Sequence, residues 1–418
     1  MKPSTTQQEM FYGWWIVLVC LLVQVASSGT AFYSFSVYQQ VLPSVFSTTA
    51  TAISLATSVY LLSIALTGPS VGRLTDRYGP RRVLLVGGVI AGIGFCLLSI
   101  SQTLWELYLF YFVVGLGMSG AGAVATSTAV SSWFVRRRGT AMGITMIGMS
   151  IGALTMPNLV RVIMDLSGWR SSFLALGLVA WALVIPSVGF VMKNHPHEMD
   201  LLPDGATGTD QDGAPHASDV ITITELKSPS MTFSSTTYWL LSIVFFLANI
   251  ALSGTLQHEV SFLVNEATIP FGIASLALGL TGGIGALGKL SFGYLSDRIS
   301  SCNAIILCFG LQALGVSLLM FFRATSIWPF VLVYGFAMGG QYATQPTVVS
   351  ELFGSASFGT TLGRITPAIA LGLAVGPFMT AWIYDTTRSY SQAFIIITIL
   401  YAVCMVAMTF TRKTKFKS

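Results

Sequence analysis

The chain has 418 residues, 53% of them hydrophobic and only 9% charged, with a mean hydropathy of +0.74 and a formal net charge of +5. About a quarter of the residues in a typical soluble domain are charged, so these values exclude a water-soluble enzyme or nucleic-acid-binding domain. Lipid is the main solvent, and the positive excess reflects membrane topology rather than a nucleic-acid footprint.

Apolar runs long enough to cross about 30 Å of hydrocarbon at about 1.5 Å per residue begin near Trp14, Thr51, Arg82, Trp105, Gly139 and Trp169. Six more begin near Tyr238, Phe271, Cys302, Ile327, Gly359 and Tyr390. Backbone cannot stay unbonded in lipid, and runs of this length without strict alternation fit helices rather than barrel strands. The sequence thus predicts an all-α membrane protein of twelve transmembrane helices, spans 1 to 12. The polar tail from Met1 to Phe11 is too short for a cleaved leader, so span 1 reads as an uncleaved insertion signal.

After span 2 comes Gly72-x-Leu74-x-Asp76-Arg77, and after span 8 the same pattern returns as Gly293-x-Leu295-x-Asp297-Arg298, 221 positions later. The Trp133-Phe134 pair closing span 4 is echoed by Leu352-Phe353 closing span 10. The chain therefore reads as two copies of one six-helix unit, 1–192 and 238–418, related by pseudo-symmetry and joined by a cytoplasmic linker at 193–237. That linker is rich in Pro, Gly, Ser, Thr and Asp. His195, His197 and His216 lie there beside several acids; a metal site is the alternative to a solvated linker, and no metal is assigned. All five cysteines lie in or at the edge of apolar runs with no metal-type spacing, which argues against disulfides.

Short loops rich in Lys and Arg stay on the cytoplasmic side. Of 21 Lys and Arg, Arg161, Arg170, Arg323 and Arg388 fall outside and two lie within spans. The remaining 15 are cytoplasmic if both termini are inside, which makes this a multi-pass protein of the plasma (cell inner) membrane.

The two basic residues within spans are Lys289 in span 8 and Arg364 in span 11, each costing about 2.5 to 3.5 kcal/mol at mid-bilayer. Facing one cavity about 10 Å apart, they would repel by roughly 1.7 kcal/mol at an effective dielectric near 20; an anion between them would relieve both terms. Snorkelling to headgroups is the alternative, since each lies near the cytoplasmic end of its run. Gly285, Gly288 and Gly363 beside them favour packed protein faces. Span 7 carries His258, Glu259 and Glu266, candidate proton carriers, with outer-rim charges in contact with water as the alternative. Arg161 and Asp165 read as a local i,i+4 ion pair.

The loop Gly72-Arg73-Leu74-Thr75-Asp76-Arg77-Tyr78-Gly79-Pro80-Arg81-Arg82 between two six-span halves resembles the major facilitator superfamily over the whole chain. Within it, Tyr12-Gly13-Trp14-Trp15, Trp133-Phe134-x-x-Arg137-Arg138-Gly139 and Gly376-Pro377 followed by Trp382-x-Tyr384-Asp385 resemble the monocarboxylate transporters and the related oxalate:formate antiporter. The resemblance implies a latch closing the cytoplasmic side, carried here by Gly72, Asp76, Arg77, Arg81, Asp297 and Arg298. It implies a substrate-binding arginine where this chain has Lys289, a basic residue near Arg364, and a histidine near His258. Tyr33 and Tyr342 match site tyrosines of the oxalate transporter. That transporter has further tyrosines where this chain has Met149 and Ala123, and a tryptophan at Met338, which implies a roomier pocket here. Gly285 replaces the acid that animal members carry one turn before the span 8 cation.

The expected function is secondary active transport of small organic anions, such as lactate, pyruvate or a larger acid, by alternating access, proton-coupled or anion-exchanging. The substrate site is expected at Lys289, Arg364, Tyr33, Tyr342 and His258, with proton coupling through His258, Glu259 or Glu266. No Walker-type loop and no soluble domain are present, so no enzyme and no cofactor is expected. Expected partners are the anion, a proton or counter-anion and the bilayer, with the protein monomeric. The alternatives are a proton-driven exporter of lipophilic compounds and a transport-silent sensor of organic acids.

Overall fold

The computed structural model describes residues 11–205, 236–322, 327–355 and 357–415. Its helices before the linker are α1 (Gly13–Ser27), α2 (Phe35–Val45), α3 (Ala50–Tyr78), α4 (Pro80–Ser99), α5 (Leu104–Gly120), α6 (Ala123–Trp133) and α7 (Arg138–Pro186). After it come α8 (Thr236–Asn265), α9 (Phe271–Ile299), α10 (Ser301–Phe322), α11 (Ile327–Phe353), α12 (Phe358–Thr387) and α13 (Tyr390–Lys415). No strand occurs among the described residues.

Local chemistry sets the breaks. The Thr49 hydroxyl accepts the Ala52 N–H at 3.2 Å to start α3, and Gly79, at φ 82°, ends it before Pro80 opens α4. A reciprocal Thr103–Glu106 capping box starts α5. Within α7, Gly168 adopts φ 83° and ψ 171°, which divides two runs where the sequence places spans 5 and 6.

Ten described spans are long and apolar enough to cross a membrane, the stretch 138–191 counting as one. Of the elements expected to cross, α11 is not among the ten, because Gly339, Gly340, Gln341, Tyr342 and Gln345 dilute its apolar content. Apolar side chains facing outward, such as Leu66, Phe190 and Phe378, suit lipid.

Two broad helix pairs join the helices before the linker to those after it, α3 with α12 and α7 with α9. Both are glycine seams. A Cβ at Gly72 would lie 2.9 Å from the Gly359 carbonyl carbon, and one at Gly293 would lie 3.0 Å from Gly143 Cα. Side chains at these positions would hold the backbones apart.

Of the predicted linker, residues 193–205 and 236–237 are described; 206–235, including His216, lie outside the described residues, as does Arg323. Its first part is anchored. Asp204 accepts the backbone N–H groups of Val135 at 2.9 Å, Arg136 at 2.7 Å and Arg137 at 3.3 Å. Among the described residues no three His, Cys, Asp or Glu side chains gather as a metal site would require.

Candidate functional site

A cavity of about 240 Å³ lies between the two sets of helices. At about 30 Å³ per water, it has room for a small metabolite. Its walls are largely apolar, with Met118, Met146 and Met149 prominent, and its polar points include Gln24, Tyr33, Tyr60, Tyr342 and Gln345. Tyr33 ends a π-helical turn, Ser28–Tyr33, closed by the Ser34 N–H and hydroxyl donating to the Gly29 carbonyl at 3.1 and 2.8 Å. Such widened turns carry a side chain off the regular helix phase. Met149 and Ala123 line the cavity, whereas Met338 stands behind it near Gly285.

Lys289 is not itself in the lining of this cavity but stands behind Tyr342, which is. Its ammonium donates to the Ser150 hydroxyl at 2.6 Å, next to Met149 on α7, and sits 5.6 Å from the centroid of the Tyr342 ring on α11. The side chain is only 4% exposed. Among the described residues, the ion pair within 4.0 Å is the exposed Arg161–Asp165, so Lys289 has no carboxylate that close. Gly288 seats this turn of α9 on Phe336 and Gly340 of α11, which fixes where the lysine stem emerges.

The structure does not bring Arg364 to the same wall. Leu362 and Thr366 line the cavity, and at 100° per residue the side chain midway between them turns to the opposite face. The Arg364 carbonyl instead accepts the Tyr238 hydroxyl at 3.2 Å. His258 is also off the cavity, with Nε2 3.0 Å from the Pro377 carbonyl and its ring 5.4 Å from that of Tyr390.

Glu259 is fully buried on α8. It accepts the Thr281 hydroxyl at 3.2 Å through Oε1, while Oε2 has no partner. Glu266 is occupied as a helix cap, accepting the Tyr390 N–H and, at 2.9 Å, the Ser391 hydroxyl at the start of α13. We expect Glu266→Ala to lower thermal stability by about 1 to 2 kcal/mol and leave substrate affinity unchanged, as thermal unfolding with and without substrate will report.

At one end of the bundle, two aspartates cap helices across the glycine seams. Asp76 on α3 accepts the Gly359 and Thr360 N–H groups at 2.9 and 2.6 Å, at the start of α12. Asp297 on α9 accepts the Gly139 and Thr140 N–H groups at 2.6 and 2.8 Å and the Thr140 hydroxyl at 2.6 Å, at the start of α7. Gly72 and Gly293, one turn earlier, permit this approach. Arg77 and Arg298 instead lie over the rings of their own neighbours, Tyr78 at 5.2 Å and Tyr294 at 5.1 Å. The Arg81 N–H donates to Asn194 Oδ1 at 3.0 Å and its guanidinium to the Gly189 carbonyl, so its bonds stay among the residues before 206.

Sequence reasoning missed three participants. Ser150 is an ordinary serine in an apolar run, and only the helix pairing reveals it as the Lys289 partner. Arg138, read from sequence as a topology charge, is half-buried and donates to the Phe134 carbonyl at 2.9 Å, the Ser131 carbonyl at 3.1 Å and the Ser350 hydroxyl of α11. Gln345 had a signal: a polar side chain one turn after Tyr342.

A sequence model of the Major Facilitator Superfamily matches residues 19–368. The oxalate:formate antiporter of Oxalobacter formigenes is 25% identical over 98% of this chain and 94% of its own. Monocarboxylate transporter 13 of Rattus norvegicus is 25% identical over 92% of this chain and 86% of its own. Among solved structures, the proton:xylose symporter XylE superposes with a TM-score of 0.74 at 15% identity, covering 94% of both chains. The human organic anion transporter MFSD10 gives 0.70 at 16% identity, covering 94% of this chain and 98% of its own.

Proposed function

The chain belongs to the major facilitator superfamily, and on that premise we propose that it is a secondary transporter of small organic anions working by alternating access. It is a multi-pass membrane transporter and not an enzyme; the anion, its coupling and its orientation are our reading.

One observation carries that reading: Lys289 is a buried cation with no carboxylate within 4.0 Å among the described residues, standing beside Tyr342 of the central cavity's wall. Burying an uncompensated ammonium is costly, and a carboxylate entering beside Tyr342 would offset that cost. The names of the oxalate:formate and monocarboxylate relatives support the same class of cargo. The cavity's Met and Ala positions, where the resemblance implies tyrosines, favour an acid with an apolar body over oxalate.

We assign the substrate contact to Lys289, Tyr33 and Tyr342. Arg364 acts at the closing seam through its place beside Gly363, and His258 supports α12 through Pro377. Coupling we assign to Glu259, a carboxyl with one hydrogen bond and one bare oxygen that can hold a proton. The two halves, 1–192 and 238–418, rock about the cavity while Asp76 and Asp297 latch the cytoplasmic end, with both termini on that side of the plasma membrane.

Counterflow in proteoliposomes with labelled lactate, pyruvate, oxalate and a branched-chain oxo acid, with and without a pH gradient, tests this. Exchange of at least one monocarboxylate is expected. Movement of lipophilic cations with no acid exchanged would replace the reading with that of an exporter.

A further inference from the structure

We propose that the Gln345 side-chain amide receives a second, neutral polar group on the transported acid, so that the site selects hydroxy or oxo monocarboxylates over plain alkyl acids. The inference rests on the organic-anion reading above and sharpens it.

Gln345 lines the cavity, is 5% exposed, and its Nε2 has no hydrogen-bond partner. One turn earlier on α11, Gln341 is 1% exposed with neither amide atom partnered. Two unsatisfied amides on successive turns are unusual, because buried polar groups are nearly always paired. Gln341 is not in the lining, but on α1 Gln24 adds a second amide to it: its Oε1 accepts the Ser27 hydroxyl at 3.1 Å, and its Nε2 reaches only the weakly accepting Met146 sulfur at 3.2 Å. The rest of the wall is mostly apolar, its other polar side chains being hydroxyls.

Residues three apart on a helix stand about 5 to 6 Å from each other. Tyr342 and Gln345 therefore present one short ruler, with Lys289 behind the first mark and an amide at the second. A carboxylate held at Lys289 would bring a hydroxyl or oxo oxygen on its own short chain against Gln345. A water admitted to the amide would serve it equally well. A plain alkyl acid must displace that water and return nothing, which keeps the discrimination in force. A second carboxylate would fare worse than either, since the cavity wall offers it an amide and no second cation.

Thermal-shift titrations of the purified full chain with butyrate, its 2-, 3- and 4-hydroxy derivatives and succinate give the test. At least one hydroxy acid is expected to bind about tenfold or more tightly than butyrate, with succinate the weakest. Gln345→Met should bring the hydroxy acids level with butyrate while butyrate itself stays within about twofold or improves. Equal binding of butyrate and all three hydroxy acids by the wild-type chain would overturn the inference and leave the anion reading standing. Persistence of the preference in Gln345→Met would do the same. Should no acid bind at all, both readings fall together. The wild-type ratio decides the matter even if the variant does not insert.

Discussion

Replacing Lys289 by methionine is expected to abolish organic-acid counterflow and, at the same time, to raise the thermal stability of the empty protein. The two effects have opposite signs because one side chain serves opposite ends in the two states. Without cargo, the ammonium is 4% exposed and holds one hydroxyl partner, Ser150 at 2.6 Å. Among the described residues it makes no further hydrogen bond, and the face of Tyr342 lies 5.6 Å away. Exchanging such a group for an apolar side chain of similar length is commonly neutral or stabilising by about 1 to 4 kcal/mol. With cargo bound, removal of a buried charge partner costs about 2 to 5 kcal/mol, a loss of affinity of roughly thirtyfold to several thousandfold. Unfolding curves and counterflow on the same preparation separate the cases. A variant that loses stability along with transport would identify Lys289 as a structural post tied to Ser150. Wild-type kinetics would remove it from the pathway altogether.

The sequence makes Lys289 visible for a simple reason. A charge in an apolar run needs an explanation that needs no neighbours, whereas its partners require knowing which helices touch. Arg364 raised the same alarm, but whether it shares the cavity is a question of helix phase, and that is set by packing: Leu362 and Thr366 took the inward positions. Glu266 looked like a proton carrier because it is an acid near the end of a span. Its role as the cap of α13 depends on a contact 124 residues away in the chain. The repeat puts Asp76 and Asp297 at matching positions, and each caps a helix start across a seam, yet it did not foretell Ser300. That residue stands 221 positions after Gly79 and adopts the same left-handed φ of 82°. Glu351 accepts its hydroxyl at 3.0 Å and the next N–H at 2.6 Å, a local tie that helps hold a conformation a side chain rarely adopts. Asp204 was hidden by composition, since a Pro-, Gly- and Ser-rich segment reads as solvated until a loop with three free N–H groups is found beside it.

Neutralising the two seam aspartates should open the latch end of the bundle, and Asp297→Asn should do so more than Asp76→Asn. Each carboxylate lies at a helix start whose first N–H groups have no intrahelical partner, and each crosses from one set of helices to the other. Hydrogen bonds to a charged acceptor contribute about 1.5 to 3 kcal/mol, and the helix dipole adds about 0.3 to 1 kcal/mol. Asparagine keeps the shape but offers one accepting oxygen, and turns an N–H toward the second backbone donor. Asp297 is half-buried and Asp76 is more exposed, so water discounts the loss at Asp76. Losing about 1.5 to 3 kcal/mol shifts the open-to-closed ratio by roughly tenfold to 150-fold at Asp297, and by less at Asp76. Alternating access would open the α3–α12 and α7–α9 seams together, so the double variant should add the two shifts. Spin labels at the exposed Val135 and Ser355 report the separation of the two capped helix starts, with Asp165→Asn as a control carrying the same charge change outside the seams. Distance distributions matching wild type in both single variants and in the double would leave these carboxylates as ordinary caps and place the closing force in the glycine seams alone.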